Sequence, residues 1–155
     1  MTVSLEVRLK TDRYENGEVA PPDRATRGAA AYDVRAARDY LIPPRWWPFK
    51  HTVLVDLGFR IGVPAGWCAK LFIRSGLARQ GLRLANSVGI VDSDYRGKVK
   101  LMIASDRPWF FLINAGDRVG QMMIEPAHDI SWLRYTSGYC IGTKRGEGGF
   151  GSTGR

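Results

Sequence analysis

From Val3 onward the chain alternates apolar and polar positions: Val3, Leu5, Val7 and Leu9 fall on one side, Ser4, Glu6, Arg8 and Lys10 on the other. A period of two predicts a half-buried β-strand. The run from Thr52 to Ile61 repeats the pattern with Val53, Val55, Leu57, Phe59 and Ile61, and Val99, Leu101 and Ile103 repeat it again. Shorter strands are predicted at Tyr32–Ala36, Cys68–Ile73, Ser87–Val91, Trp109–Ile113, Val119–Ile124 and Ile130–Leu133. Turn signals separate them, at Asn16-Gly17, Pro43-Pro44, Pro64-Ala65-Gly66 and Asn114-Ala115-Gly116-Asp117. No long window carries a helical period, and the one helical candidate is a short turn at Ser75–Arg79. Many short strands with Gly- and Pro-rich turns predict an all-β fold, a jelly-roll-like sandwich or barrel.

The length of 155 residues suits one domain. No stretch is long and apolar enough to span a membrane, and the charged N-terminus lacks the apolar core of a secretory signal, so an intracellular place, cytoplasm or nucleus, is expected. Cys68 and Cys140 match no metal or redox spacing, which agrees with reduced thiols. The net charge of +8 fits a nucleic acid, a small polyanion or solubility alone, and it is scattered rather than gathered in runs.

Composition changes near the end. Residues 142–155, GTKRGEGGFGSTGR, are glycine-rich with one aromatic residue and cannot bury enough apolar area to fold alone. The segment reads either as a disordered tail or as a flexible arm that orders over a ligand. Arginine, backbone N–H groups and hydroxyls are what a phosphate chain needs.

Five segments, in order, resemble the five motifs of the trimeric dUTPase family: AAAYDV (Ala29–Val34), RSGLA (Arg74–Ala78), GIVDSDYRGKV (Gly89–Val99), GDRVGQMM (Gly116–Met123) and RGEGGFGSTG (Arg145–Gly154). RSGLA or GDRVGQ alone is weak; VDSDYRG and RGEGGFGSTG are each specific, and five in register are stronger still. The resemblance implies a dUTPase-like β domain over residues 1–141 and a C-terminal arm over 142–155 that closes on an active site. It implies a homotrimer whose three subunits share each site. The implied reaction is hydrolysis of dUTP to dUMP and pyrophosphate, by a hydrolase of acid anhydrides that limits uracil in DNA and supplies dUMP for thymidylate synthesis.

Carried over residue by residue, Asp92 matches the general base that deprotonates water for attack on the α-phosphorus, although an Asp-Ser-Asp-Tyr run also suits a plain turn. Asp94 fits the turn reading. Tyr95 matches the residue packed on the deoxyribose, and Asn86 a residue at the base, within a hairpin from about Leu82 to Arg96 that would hold uracil. Arg74, Ser75 and Gly76 match the phosphate-binding turn, where Ser75 would otherwise be a helix N-cap. Gln121 matches a glutamine near the phosphates and the attacking water, and Asp33 an aspartate near the metal's water shell. In the arm, Arg145 matches a γ-phosphate partner, Gly149, Ser152 and Thr153 further donors, and Phe150 a ring stacked on uracil. Magnesium is implied as a cofactor held by phosphates and waters, with no direct protein ligand.

Departures are Ala31 where motif one usually has glycine, Val34 for leucine, Ile73 for the proline before motif two, and Val119-Gly120 for Ile-Ala in motif four. A methyl at residue 31 would crowd a backbone that needs positive φ. Arg45-Trp46-Trp47-Pro48-Phe49-Lys50 stands where a plain turn is expected. It is either a loop folded back onto the sandwich or a contact site, for a protein partner at Trp46–Trp47 or for nucleic acid by stacking; nucleic acid is not the expected partner of the chain. Trp67, Trp109 and Trp132 fall in strand-like positions, as core or subunit interface. Two other readings are a dCTP deaminase-like enzyme, which would lack the GGFGSTG arm, and a binding or signalling protein on the same scaffold, which would lose Asp92, Tyr95 or the arm.

Overall fold

The computed structural model describes residues 5–14, 17–49 and 51–132. Thirteen strands and one helix follow in chain order: β1 (Arg8–Thr11), β2 (Arg13–Tyr14), β3 (Gly17–Glu18), β4 (Tyr32–Arg35), β5 (Tyr40–Ile42), β6 (Thr52–Asp56), β7 (Phe59–Gly62), β8 (Trp67–Ile73), α1 (Ser75–Arg79), β9 (Leu82–Leu84), β10 (Gly89–Val91), β11 (Lys100–Ser105), β12 (Phe111–Ile113) and β13 (Arg118–Pro126). All strand pairings are antiparallel. The largest sheet runs β10-β8-β13-β4; a second runs β6-β11-β9; β1-β7, β12-β5 and β2-β3 are pairs. The fold is all-β and jelly-roll-like.

One apolar core joins the sheets. Val34, Leu71 and Val91 from the first meet Val55, Leu101 and Ile103 from the second, with Ile42 and Ile113 from the β12-β5 pair and Phe59 from β7. Alternation explains the choice: successive side chains of a strand face opposite ways, so Leu101 and Ile103 are buried while Lys100 and Met102 face outward.

Several expectations change. The run from Thr52 to Ile61 is two strands: β6 pairs with β11 and β7 with β1, and the chain turns between them at Leu57-Gly58. Leu57, Phe59 and Ile61 stay buried through the turn, so alternation continues while the sheet partner changes. The region from Leu82 to Arg96 is not a paired hairpin, because β9 binds β11 and β10 binds β8. Val3 and Ser4 lie outside the described residues; among those described the first strand begins only at Arg8, and Leu9 is 42% exposed, since β1 lies on a sheet margin with β7 as its neighbour. Leu5, Val7 and Leu9 line an open furrow of about 500 Å³ with Tyr32 and Trp67. Residues 127–132 are not a strand, and Leu133 lies outside the described residues. Trp109 and Trp132 are exposed and lie outside this chain's core, and Trp67 is half-buried.

The aromatic loop is partly folded back. Trp46 Nε1 donates to the Pro108 carbonyl at 2.6 Å. Trp47 packs edge-on against Phe110, ring centroids 5.2 Å apart. Trp46 and Phe49 keep most of their surface exposed.

Gly58 at the turn has φ of +76°, and a Cβ there would meet the Val19 side chain, 2.8 Å from its Cβ. Gly58→Ala is expected to cost about 1–3 kcal/mol through backbone strain and overpacking. A urea titration would read this as a lower midpoint with unchanged slope; an unchanged midpoint refutes it.

Candidate active site

Antiparallel register places Asp33 on β4 directly opposite Gln121 on β13, which in turn lies opposite Phe72 on β8. Paired residues share a face, so these three project from the side of the sheet away from the core. Arg74 follows β8 two residues past Phe72 and shares that side. Arg118 would not do so in a regular strand, because it stands three residues before Gln121. A register shift between Arg118 and Gly120 supplies one extra residue and turns Arg118 to the same face.

The four side chains meet. Asp33 is 3% exposed. Its Oδ1 lies 3.3 Å from Arg74 Nε and accepts from Gln121 Nε2 at 3.4 Å. Its Oδ2 accepts from Arg118 Nη1 at 3.3 Å. A buried carboxylate is costly unless paired, and here two guanidinium groups and an amide surround it. The two arginines remain partly open to solvent, with side-chain exposures of 31% and 43%. They line a cleft of about 340 Å³ with Leu77, Gln80, Phe111 and Asp117, whose Oδ2 accepts from Asn114 N at 2.8 Å. The cluster can therefore present cationic donors to an anion while Asp33 fixes them from beneath. Arg118 was not singled out as a site residue in the sequence, because strict alternation assigns it to the opposite face.

At the turn after β8, α1 begins at Ser75. Its N-cap is Arg74, with an extended backbone (φ −69°, ψ 140°) and no side-chain cap bond, so Ser75 is the first helical residue and not the cap. The hydroxyl of Ser75 and the backbone at Gly76 are left on the exposed first turn. Ala31 is not crowded by an unusual backbone: among the described non-glycine residues only Ser87 has positive φ, at 62°. Ser87 sits beside Asn86 in the tight connection from β9 to β10, where Asn86 is exposed and its carbonyl accepts from Val88 N at 2.6 Å.

Asp92 follows β10, at the opposite edge of the sheet. It is exposed, and its carboxylate has no hydrogen-bond or ion-pair partner among the described residues. Its carbonyl accepts from Tyr95 N at 3.2 Å, closing a turn through Ser93 and Asp94. Tyr95 is 43% exposed and its hydroxyl donates to the Lys98 carbonyl at 3.0 Å. Extending the register, Asp92 is three strands from Asp33 and about four residues along. At roughly 4.8 Å per strand and 3.3 Å per residue, the two carboxylates of one chain lie on the order of 20 Å apart. Within one chain the two carboxylates therefore do not meet. Arg145, Gly149, Phe150, Ser152 and Thr153 lie outside the described residues.

Among the described residues no helix is long and apolar enough to cross a membrane. A family model described as dUTPase matches residues 18–154. The deoxyuridine 5'-triphosphate nucleotidohydrolase of Rhizobium johnstonii is 41% identical over 152 residues, covering 97% of this chain and 96% of that one. The solved dUTPase of Streptococcus mutans is similar with a TM-score of 0.70 at 30% identity, over 81% of this chain and 98% of that one. A dUTPase of Staphylococcus bacteriophage 80alpha, solved with dUpNHpp, shares the fold with a TM-score of 0.80 at 20% identity, over 97% of this chain and 99% of that one.

Replacing Asp33 by Asn keeps the shape of the cluster but leaves two guanidinium groups facing a neutral amide. Because both arginines can turn toward solvent, the expected loss is about 1–3 kcal/mol rather than the full cost of a buried unpaired charge. Chemical denaturation of Asp33→Asn checks it, and wild-type stability would refute the anchoring role.

Proposed function

The chain belongs to the dUTPase family, and on that premise we propose that it hydrolyses dUTP to dUMP and pyrophosphate, with Asp92 activating the water. The observation that carries this reading is the division into two complementary groups: Arg74, Arg118 and Gln121 over Asp33, on β4 and the two interior strands beside it, and the Asp92 carboxylate beside Tyr95 at the β10 edge and the other end of the strands, with no partner among the described residues. The first suits a triphosphate and the second a water nucleophile.

Asp92 of one protomer completes the Arg74 cluster of another, in a homotrimer with three shared sites. The estimated separation within one chain supports this, as does the apolar furrow beside the β1 margin, a surface suited to a subunit contact. Asp92 accepts a proton from water as the water oxygen bonds to the α-phosphorus. The bond from that phosphorus to the bridging oxygen breaks in line, and pyrophosphate leaves with the electron pair. Arg74 and Arg118 bind phosphate oxygens, and a planar guanidinium can engage two at once. Gln121 orients water or phosphate from the same face. Ser75 and the N–H of Gly76 add donors from the first turn of α1. Asp33, its oxygens already occupied, acts through Arg74, Arg118 and Gln121 and is a positioning residue.

The donor set fits a metal carried by the substrate, because guanidinium groups dominate it and the Asp33 carboxylate is engaged. Magnesium, when bound to the phosphates and water, would offset charge on the triphosphate and the leaving pyrophosphate. Tyr95 packs on the deoxyribose and excludes a 2′-hydroxyl. Asn86 and the backbone from Leu82 to Arg96 recognise uracil, since a polar edge left unpaired on the wrong base costs affinity. The arm at 142–155 closes the site: Arg145 pairs with the γ-phosphate, Gly149, Ser152 and Thr153 donate, and Phe150 covers the base. The product role is to limit uracil in DNA and to supply dUMP for thymidylate synthesis.

Asp92→Asn is expected to lower kcat by about 10²–10⁴-fold with dUTP binding retained, read by pyrophosphate release and by calorimetry. Near-normal turnover removes Asp92 as the base. Arg74→Ala is expected to be impaired as well, through phosphate binding. Mixing denatured Asp92→Asn with Arg74→Ala and refolding them together should restore about a quarter of the wild-type sites, because random trimers then contain pairs with both residues intact. No recovery in mixed trimers would exclude the shared site.

A further inference from the structure

We propose that Lys98, gripped by Asp12, Asp56 and Tyr14, is a positioning residue that sets the selectivity for deoxyribose by holding the Tyr95 ring in place. This rests on the reading of Tyr95 as the residue that meets the sugar.

The ring has two fixed supports, and both are main chain. Its hydroxyl donates to the Lys98 carbonyl at 3.0 Å. It lies flush on Gly97, where an added Cβ would meet the tyrosine hydroxyl and stand 2.5 Å from Cζ. Where the backbone at residues 97–98 goes, the ring follows.

That backbone is held at Val99 by two main-chain bonds, Val99 N to the Phe59 carbonyl and Leu57 N to the Val99 carbonyl, each at 3.0 Å, and at residue 98 by the side chain of Lys98. Its Nζ lies 3.1 Å from Asp12 Oδ2 and 3.4 Å from Asp56 Oδ2. It donates to the Tyr14 hydroxyl at 3.2 Å and stands 5.1 Å from the centre of that ring. Asp12 Oδ2 meets no well-angled donor, so charge rather than a directed hydrogen bond holds it, with Arg60 Nη1 3.8 Å away. The anchors are themselves fixed: Asp12 N donates to the Gly58 carbonyl at 2.8 Å, and Asp56 Oδ1 accepts from Gly58 N at 2.9 Å. The Tyr14 hydroxyl and the Asp12 carboxylate raise the Lys98 ammonium above its ordinary range, with burial acting against them, so it stays charged at neutral pH.

Asp12 and Tyr14 stand before the first motif, and Asp56 lies between the first and second. Excluding a 2′-hydroxyl by contact requires a ring that does not yield by even a fraction of an ångström. A salt-bridged knot beneath the loop supplies that stiffness, and loosening it lets the ring give way to a ribonucleotide.

The test compares kcat/KM for dUTP and UTP in Lys98→Met, Asp12→Asn, Lys98→Arg and Tyr95→Ala, each checked for thermal melting. The ratio between substrates is independent of how much protein is folded, so a role confined to stability lowers both values together and leaves the ratio unchanged. The expected result is a fall of about tenfold in the dUTP:UTP ratio for Lys98→Met and Asp12→Asn, most of it a relative gain for UTP, with the ratio largely kept in Lys98→Arg. Loss of selectivity in Tyr95→Ala with none in Lys98→Met or Asp12→Asn overturns the clamp. An unchanged ratio in Tyr95→Ala overturns the sugar-contacting reading of Tyr95 and the clamp with it.

Discussion

The pairing of β13 with β8 on one side and β4 on the other decides where the motif residues lie. Met122, 5% exposed, and Val119, fully buried, fix β13 against the core, and Gln121 between them must face outward. A slip of one residue would drive Gln121 inward and Met122 outward, so burial of the apolar set enforces the register. That register puts Gln121 opposite Asp33 and beside Phe72. The extra residue between Arg118 and Gly120 is the one local irregularity the cluster needs, for it lets Arg118 and Gln121 reach a single carboxylate. Core packing thus specifies the polar side of the sheet without touching it.

Asp33 also explains how the proposed anion site can be rigid while its arginines remain accessible. Each long side chain would lose rotamer freedom on gripping a phosphate. Pairing with a fixed, buried carboxylate removes part of that freedom beforehand. The same carboxylate reduces the positive charge offered to the ligand. The arrangement therefore exchanges some attraction for orientation, which is the useful exchange where an in-line displacement must be aligned.

Much of this was legible in the sequence. Alternation located β11, the shorter strands predicted between turn signals cover β4, β8 and most of β13, and α1 spans Ser75–Arg79 as the helical turn predicted. The change of sheet partner at Leu57-Gly58 was hidden because the burial alternation runs through it unbroken. Strands of two or three residues, such as β2, β3, β5 and β9, are too short for a period to register. The role of Arg118 depends on a bulge, and a bulge reverses the face that counting assigns. Trp109 reads as core or subunit interface; it lies outside this chain's core, 58% exposed, with the Arg107 guanidinium 4.9 Å from its ring centre, a contact between side chains that the spacing does not encode.

The proposed split of the site follows from the same sheet. A strand can hold a residue rigidly, but neighbouring strands cannot bring their two outer edges together without bending the layer that contains the core. Asp92 and Asp33 lie toward such opposite edges, and Arg74 lies at the far end of the strand beside Asp92's own; each group is braced by its own set of contacts, the carboxylate pairings of Asp33 on one side and the Lys98 knot and Tyr95 tether on the other. The proposed arrangement, with Asp92 and the Arg74 cluster of one site on different copies of a rigid sheet, meets both needs, because symmetry can then bring the two groups together with neither sheet distorted. In the proposed trimer the loop from Asp92 to Val99 meets a stricter condition than most exposed loops, since it would carry Asp92 and Tyr95 to a surface set by another protomer. An ammonium locked among Asp12, Asp56 and Tyr14 is how this chain meets that condition, through residues that lie outside the five motifs.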